Sequence, residues 1–436
     1  MKRLTLTALA CLSLLAATPS TAQLSAREQS MIATVKAEEA RTLGLLERMV
    51  NQNSGSLNLP GVEAVGRMMR AELEPLGFKV DWVDMKAAGR AGHIGARHKG
   101  SGKGKRMLLI AHLDTVFEPD SPFQRWTRTG DSGEGPGVID DKGGMAVMVA
   151  AVRAMKAAGT LGGADIEIVL TGDEEDTGVP LTVSRGGLVA AGKRADVALD
   201  FEPLGSEGGR DIGRISRRGS ASWELRASGR TAHSSGIFSP TSGDGAIYEL
   251  ARVITAFRAE LPEPSLTFNV GLIAGGVSAE LDAGKIRAVA SGKTNIIPAI
   301  AIARGDLRTL SSEQLERVQA KMRAIVARHL PQTSATLAFD EDGFPPLAPT
   351  AGNRALLARL NAVNRDLGLP EMGELDPLKG GAGDIGFVAG DVDGLVGLGA
   401  GGGGSHAVGE TVDIPSISRQ AIRAAILMSR LAVERR

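Results

Sequence analysis

His112-Leu113-Asp114 closes an apolar run, RMLLIAH, at residues 106–112. Alternate residues of an extended chain share a face. Asp114 could therefore hold one imidazole nitrogen of His112 while the other meets a metal ion, the support a ligating histidine usually has; a hydrogen-bonded pair at a strand end is the plainer alternative. Asp140-Asp141 in GVIDDKGG (137–144) precedes a glycine pair that opens a helix, and two adjacent acids exceed what capping needs. That stretch has neither the G-x-G-x-x-G nor the Walker spacing of a phosphate loop. LTGDEEDTG (170–178) sets Asp173, Glu174, Glu175 and Asp176 directly behind IEIVL, a run that repels itself unless cations or water face it. Asp200-Phe201-Glu202 ends another apolar stretch, and His406 follows a Gly/Ser tract after GLVGLG. Each of these alone also reads as a solvated loop or a cap. Gathered at four or five strand ends, imidazoles and carboxylates suit zinc or a similar divalent ion. So many ligands accommodate two ions bridged by one carboxylate.

Such strand ends need elements to hold them. RMLLIAH (106–112), IEIVLTG (166–172) and DVALDFE (196–202) read as strands, and 141–159 as the helix between the first two. Strands alternating with helices predict an α/β domain with a largely parallel or mixed sheet, and sites in open α/β sheets form beyond the carboxyl ends of the strands. Helical spacing also marks 26–50, 60–76 and the C-terminal stretch 415–434. The pattern changes near Gly213. SRRGSASWELRASG alternates like a strand with one exposed face; a helix at 244–260 and strands around 268–273, 295–308 and 335–339 follow, with a helix at 311–330 that opens on a Ser-x-x-Gln start. Two helices on a small antiparallel sheet form an α+β module, which FPPLAP (344–349) ends. Residues 213–342 are thus expected as an insert in an α/β domain made of 23–212 and 343–436. AGGGGS (400–405) could pass for a linker, but it lies between a strand and His406.

The N-terminal MKRLTLTALACLSLLAATPSTAQ has a basic start, an apolar run and a small-residue site before Gln23. This is the pattern of a signal peptide over residues 1–22, and the run is too short to span a bilayer. The single cysteine, Cys11, falls inside that segment. The chain is therefore expected to be exported, periplasmic or secreted, and held together without disulfides. Fifty basic and fifty acidic residues leave no electrostatic footprint for nucleic acid or an anionic membrane, and no later segment reads as a membrane span.

In order and spacing, His112-x-Asp114, Gly137-x-x-Asp140-Asp141-Lys142-Gly143-Gly144, Glu174-Glu175, Glu202-Pro203 and Gly-Ser-His406 resemble the di-zinc carboxypeptidase and aminoacylase family, above all its glutamate carboxypeptidases of the carboxypeptidase G type. The resemblance covers essentially the whole mature chain. It implies a zinc-dependent exopeptidase-like α/β catalytic domain with a mixed sheet, plus an inserted α+β lid or dimerisation domain. It also implies two Zn2+ per chain, replaceable by Co2+ or Mn2+, and a homodimer formed through the lid. On this likeness Asp140 would bridge the metals, His112 and Glu202 would complete one site, and Glu175 and His406 the other. Asp114 would orient His112, and Glu174 would be the general base for a water bridged by the two metals. Ser228-Gly229-Arg230-Thr231-Ala232-His233-Ser234 matches the family's lid motif, so His233 would polarise the substrate carbonyl, in dimeric relatives from one subunit into the other's site. Asn295 and Arg308 match lid residues that contact substrate. Arg308 has the planar fork that pairs with a free carboxylate, and pairing with nearby Asp306 is its alternative.

Departures from the family bear on substrate. Gly380-Gly381-Ala382-Gly383-Asp384 stands where relatives carry a Gly-Gly-Thr-Asp or Ser-Asp sequence, and Lys379 could compensate with its charge. His93, His98 and His329 match no motif and read as ordinary polar or surface positions; Asp173 and Asp176 read as acids that turn and solvate their loop. The implied activity is hydrolysis of an amide or peptide bond beside a free carboxylate, as in an N-acyl amino acid or a C-terminal glutamate. Glu202, where aminopeptidase relatives tend to have Asp, leans towards the carboxypeptidase or deacylase side. An aminoacylase or dipeptidase is the alternative within the family. The rival from another class is an exported binding protein with two α/β lobes, which supplies no reason for acids and histidines to gather at strand ends.

Overall fold

A computed structural model describes residues 24–436; the proposed signal peptide at 1–22 lies outside the described residues. A mixed sheet runs in the order Lys79–Asp84, Gly92–His98, Asp165–Thr171, Arg106–His112, Val197–Asp200, Gly394–Val396. The last four strands are mutually parallel, so their carboxyl ends share one edge, with His112 in register with Thr171 and Ile110 with Asp200. The apolar runs at 106–112 and 166–171 exist because both faces of this sheet are covered. Met107, Leu109 and Ala111 face one core, beneath helices Ala26–Ala37, Glu39–Val50, Lys142–Ala157 and Ile414–Leu431. Leu108 and Ile110 face a second, with Leu188, Ile385 and Val388. Helix Lys142–Ala157 is buried along nearly its whole length, which explains its run of Met, Ala and Val with no polar face.

A separate antiparallel sheet, ordered Thr267–Gly276, Ile300–Thr309, Gly219–Gly229, Thr333–Phe339, carries helices Ala246–Glu260 and Ser312–Val326 over its own core. Trp223 anchors that core, edge-on to Phe257 with ring centroids 5.7 Å apart. Alternate residues Trp223, Leu225 and Ala227 turn towards the helices, while Ser222, Glu224 and Arg226 occupy the helix-free face. The Ser-x-x-Gln start is realised as a cap: Ser311 Oγ accepts from Gln314 N at 3.1 Å and Gln314 Oε1 from Leu310 N at 2.8 Å. The chain is thus a mixed α/β domain with an inserted α+β domain.

The structure corrects several sequence readings. The helical stretch 26–50 is two helices that break at Glu38, whose carboxylate accepts from buried Arg153. The strand expected over 295–308 starts at Ile300, because Pro298 cannot donate to a ladder. The antiparallel edge pair Lys79–Asp84 and Gly92–His98 went unread. The glycine tract is no linker: Gly402 pairs with Val412, and a Cβ there would lie 2.0 Å from the Thr411 carbonyl oxygen. Among the described residues no helix is long and apolar enough to cross a membrane.

Candidate metal centre

The strand edge brings five of the predicted residues into two overlapping groups. His112, Asp140 and Glu202 form one, Asp140, Glu175 and His406 the other, and the ligand atoms of each lie within 4.8 Å of one another. His112 Nε2 is 3.0 Å from Asp140 Oδ1 and 3.9 Å from Glu202 Oε1. On the other side His406 Nε2 is 3.2 Å from Asp140 Oδ2 and 3.1 Å from Glu175 Oε2. Asp140 therefore uses one oxygen for each group. His112 is buried at a strand end, whereas the His406 side chain is 56% exposed and held on a loop.

Asp114 organises more than the sequence suggested. His112 Nδ1 lies 3.1 Å from the Asp114 carbonyl oxygen and 3.4 Å from its Oδ1. The fully buried carboxylate also accepts from Ser56 Oγ at 2.6 Å and from the backbone N–H groups of Glu174 and Glu175, both at 3.0 Å. One side chain thus orients the imidazole and fixes the turn that carries both glutamates. That turn treats them differently. Glu175 pairs with His406, while Glu174 is half-buried and, among the described residues, has no side-chain hydrogen bond.

Electrostatics single out the cluster as a place built for cations. Burial, followed by the charge of Glu202, raises the Glu174 carboxyl well above its ordinary value. Burial and then Glu202 push Asp200 up to about 8. Burial alone would depress His112, but its hydrogen bonds to Asp114 and Asp140 raise it well above the usual imidazole value. Glu175 Oε1 is buried with no hydrogen-bond partner, on the same side chain whose Oε2 meets His406. Carboxylates and imidazoles in this number fit one or two divalent ions.

Other expected residues lie elsewhere. His233 is exposed on the inserted domain, its Nδ1 2.8 Å from Ser235 Oγ, and its backbone neighbours the Asn295 loop through a Ser234 N–H bond to the Asn295 carbonyl. Arg308 Nε donates to Asp306 at 3.1 Å and lines a cavity of about 420 Å³ with Arg218, Thr267, Asn269 and Leu378. Among the described residues no ion pair or hydrogen bond joins His233, Asn295 or Arg308 to the five-residue cluster. Lys379 is exposed and engages Glu207.

Two expectations about polar residues fail for reasons of packing. Asp173 is not solvated; it is fully buried, paired with Arg185 at 2.5 Å and accepting from Gly178 N at 2.9 Å. Only Asp176 is exposed, paired with Arg90 at 2.6 Å. His93 is buried rather than superficial: Nδ1 accepts from Gly172 N at 3.0 Å, so Nε2 carries the proton donated to the Ser184 carbonyl at 2.8 Å. At Gly383 a Cβ would lie 2.4 Å from Arg217 Nη1, so a side chain there would displace the guanidinium. Arg217 fills that space and meets Glu202 Oε2 at 2.9 Å, a residue missed because its Arg-Arg pair reads as a strand.

A carboxylate–imidazole cluster on the strand edge of an α/β catalytic domain, joined to an inserted α+β domain, defines a metal-dependent amide hydrolase architecture. The chain belongs to peptidase family M20/M25/M40, whose profile matches residues 108–429. Carboxypeptidase G2 of Pseudomonas sp. (strain RS-16) is 28% identical to it over 435 residues, 97% of either chain. A succinyl-diaminopimelate desuccinylase of Burkholderia ambifaria is 28% identical over 389 residues, 86% of this chain and 94% of the relative. Among solved structures, an M20 family metallo-carboxypeptidase from Sulfolobus solfataricus superposes with a TM-score of 0.65 at 17% identity, covering 90% of this chain and 99% of that one. A dinuclear metal-binding M20 peptidase from Bacillus subtilis gives 0.62 at 15% identity, covering 91% and 99%. The protein is accordingly a metallohydrolase of this family.

Proposed function

We propose that the protein is an exported di-zinc hydrolase that cleaves an amide or peptide bond next to a free carboxylate. The observation that carries this reading is the pair of ligand groups sharing Asp140, which suits two ions bridged by one carboxylate. Ions bound there would polarise a scissile carbonyl and lower the pKa of water. The chain's own residues divide the remaining work. His112, Asp140 and Glu202 hold one ion, and Asp140, Glu175 and His406 the other. Asp114 orients His112. Glu174, with no partner for its carboxylate, accepts the proton of the attacking water and delivers it to the leaving amine. Arg308 pairs with the substrate carboxylate, Arg218 adding positive charge to the same cavity. Asn295 contacts substrate from the inserted domain, and His233 acts on the carbonyl in the other subunit of a homodimer.

The likeness to carboxypeptidase G2 supports a C-terminal amino acid such as glutamate as the leaving group. The desuccinylase relatives favour a second reading within the family, an aminoacylase or dipeptidase. A panel of folate-type glutamyl conjugates, N-acyl amino acids and dipeptides separates them by kcat/KM. A chelator is expected to abolish hydrolysis and zinc to restore it, with Co2+ or Mn2+ as substitutes; full activity in metal-free protein would sink the proposal. Hydrogen exchange should then rise first at 404–409, since His406 adopts φ 66° on an exposed loop, while 172–178 stays tied by Asp114 and Arg185.

Dimerisation draws support from the inserted domain. Thr267–Gly276 is a sheet edge with Ile273 60% exposed, and Tyr248 is 52% exposed on the helix Ala246–Glu260. Native mass spectrometry of protein from the producing cell tests export and assembly together. A dimer of chains that start near residue 23 is expected. A chain retaining residues 1–22 would end the export proposal, and a monomer at micromolar concentration the dimer.

A further inference from the structure

We propose that Glu410 is a positioning residue that holds Asp140 and His406 in one rigid frame, and so sets the affinity of the second metal group. The inference rests on the two-metal reading above. Glu410 is fully buried and sits four residues after His406, in a loop whose sequence drew no attention. Its Oε1 accepts from Ile139 N at 2.8 Å and from Asp140 N at 3.1 Å, and its Oε2 accepts from Gly137 N at 3.2 Å. Three donors of the loop that presents Asp140, from Gly137, Ile139 and Asp140, thus converge on one carboxylate. In its ionised form such a carboxylate makes charge-assisted bonds, while burial pushes the Glu410 carboxyl up to about 7.

The backbone of Glu410 is tied just as firmly. Its carbonyl accepts from Gly135 N at 3.1 Å and its N–H donates to the Ala407 carbonyl at 3.1 Å. The next residue, Thr411, pairs with Glu134 in a strand ladder. The 135–140 segment and the 406–410 turn are therefore stitched by both main chain and side chain. His406 needs that stitching: its side chain is largely exposed and its φ of 66° is uncommon outside glycine. No core packing fixes the imidazole, so its place opposite Asp140 Oδ2 at 3.2 Å depends on the turn. Buried Lys142, at the start of the following helix, donates from Nζ to the Gln52 and Pro136 carbonyls and so ties the same loop to the turn after helix Glu39–Val50.

The test is zinc titration of the full chain in competition with a chromophoric chelator, run beside thermal melting of the metal-free form. Glu410→Gln keeps the size and one acceptor oxygen for Ile139 and Asp140 but turns an amide N–H2 towards the Gly137 donor; Glu410→Ala removes all three bonds. Both are expected to bind one ion about 10–100-fold more weakly, the usual effect of removing a group that orients ligands. The ion assigned to Glu175 and His406 should weaken more than that assigned to His112 and Glu202. At saturating zinc, Glu410→Gln should regain most of its kcat. A folded variant that binds both ions with wild-type affinity overturns the proposal, even if it melts earlier, because that is the result of a purely structural role. Wild-type protein that binds no zinc overturns the two-metal reading instead, and this inference falls with it.

Discussion

Glu174→Gln is expected to lower kcat by about 10²–10⁴ while leaving bound metal and KM close to wild type. At about 1.4 kcal/mol per tenfold, that is a loss of roughly 3–6 kcal/mol of transition-state stabilisation. The prediction separates two adjacent residues of the same type. Glu174 has no side-chain hydrogen bond among the described residues and is attached to the cluster only through its N–H to Asp114 Oδ1 at 3.0 Å. An amide of equal size therefore disturbs nothing but the ability to take a proton. Glu175 is different: Oε2 meets His406 at 3.1 Å and Oε1 is buried without a partner. Glu175→Gln should lose metal affinity first and activity as a consequence, and added zinc should recover part of it. Kinetics and metal analysis on both purified variants decide the matter. If Glu174→Gln loses the metal and Glu175→Gln keeps it without turnover, the roles are reversed.

His112, Glu175 and Glu202 were legible in the sequence because each lies at or just beyond the end of a buried strand, whereas Asp140 sits in a turn before a buried helix. A parallel strand covered on both faces must be apolar throughout, so RMLLIAH and IEIVL stand out, and an acid or histidine at the end of such a run is conspicuous. The inserted domain was legible for the converse reason, since its sheet has one open face and alternates. What escaped notice was held by single residues acting at long range. Arg185 reaches 199 positions along the chain to Asp384, and Glu410 reaches 270 back to Asp140. An isolated charge in a glycine-rich loop carries no period, so pattern cannot distinguish a buried anchor from a solvated residue. The same blindness placed Asp173 in water. A row of four acids looks alike in sequence, although burial separates Asp173, at 0% exposure, from Asp176 on the surface. The strand Gly92–His98, second in the sheet, was missed because two glycines interrupt its apolar alternation, and with it the buried role of His93.

Arg185→Ala is expected to destabilise the catalytic domain by about 3–5 kcal/mol, the cost of breaking a buried ion pair by removing one partner. Arg185 is 1% exposed and serves two acids at once: Nη1 donates to Asp173 Oδ1 at 2.5 Å and Nε to Asp384 Oδ1 at 2.7 Å. Its guanidinium also lies 5.4 Å from the Phe387 ring centroid. Truncation strands both carboxylates in the interior, where, among the described residues, only Thr171 Oγ1, 2.5 Å from Asp384 Oδ2, and Gly178 N still donate to them. Surface pairs give the comparison. Arg97 meets Glu167 at 3.0 Å with its side chain 65% exposed, and Arg97→Ala should cost about 0–1 kcal/mol. Urea unfolding of the two variants beside wild type measures both. A loss below about 1 kcal/mol for Arg185→Ala would mean that this ion-pair network contributes no more than a surface pair, and would sink the prediction. Activity should fall along with stability, because Asp173 adjoins Glu174 and its position sets where the turn begins. Arg185→Lys keeps the charge but loses the fork that reaches both acids, so it should recover only part of the stability. Adding the Asp384→Asn change to Arg185→Ala should remove part of the penalty, because one stranded charge is then gone.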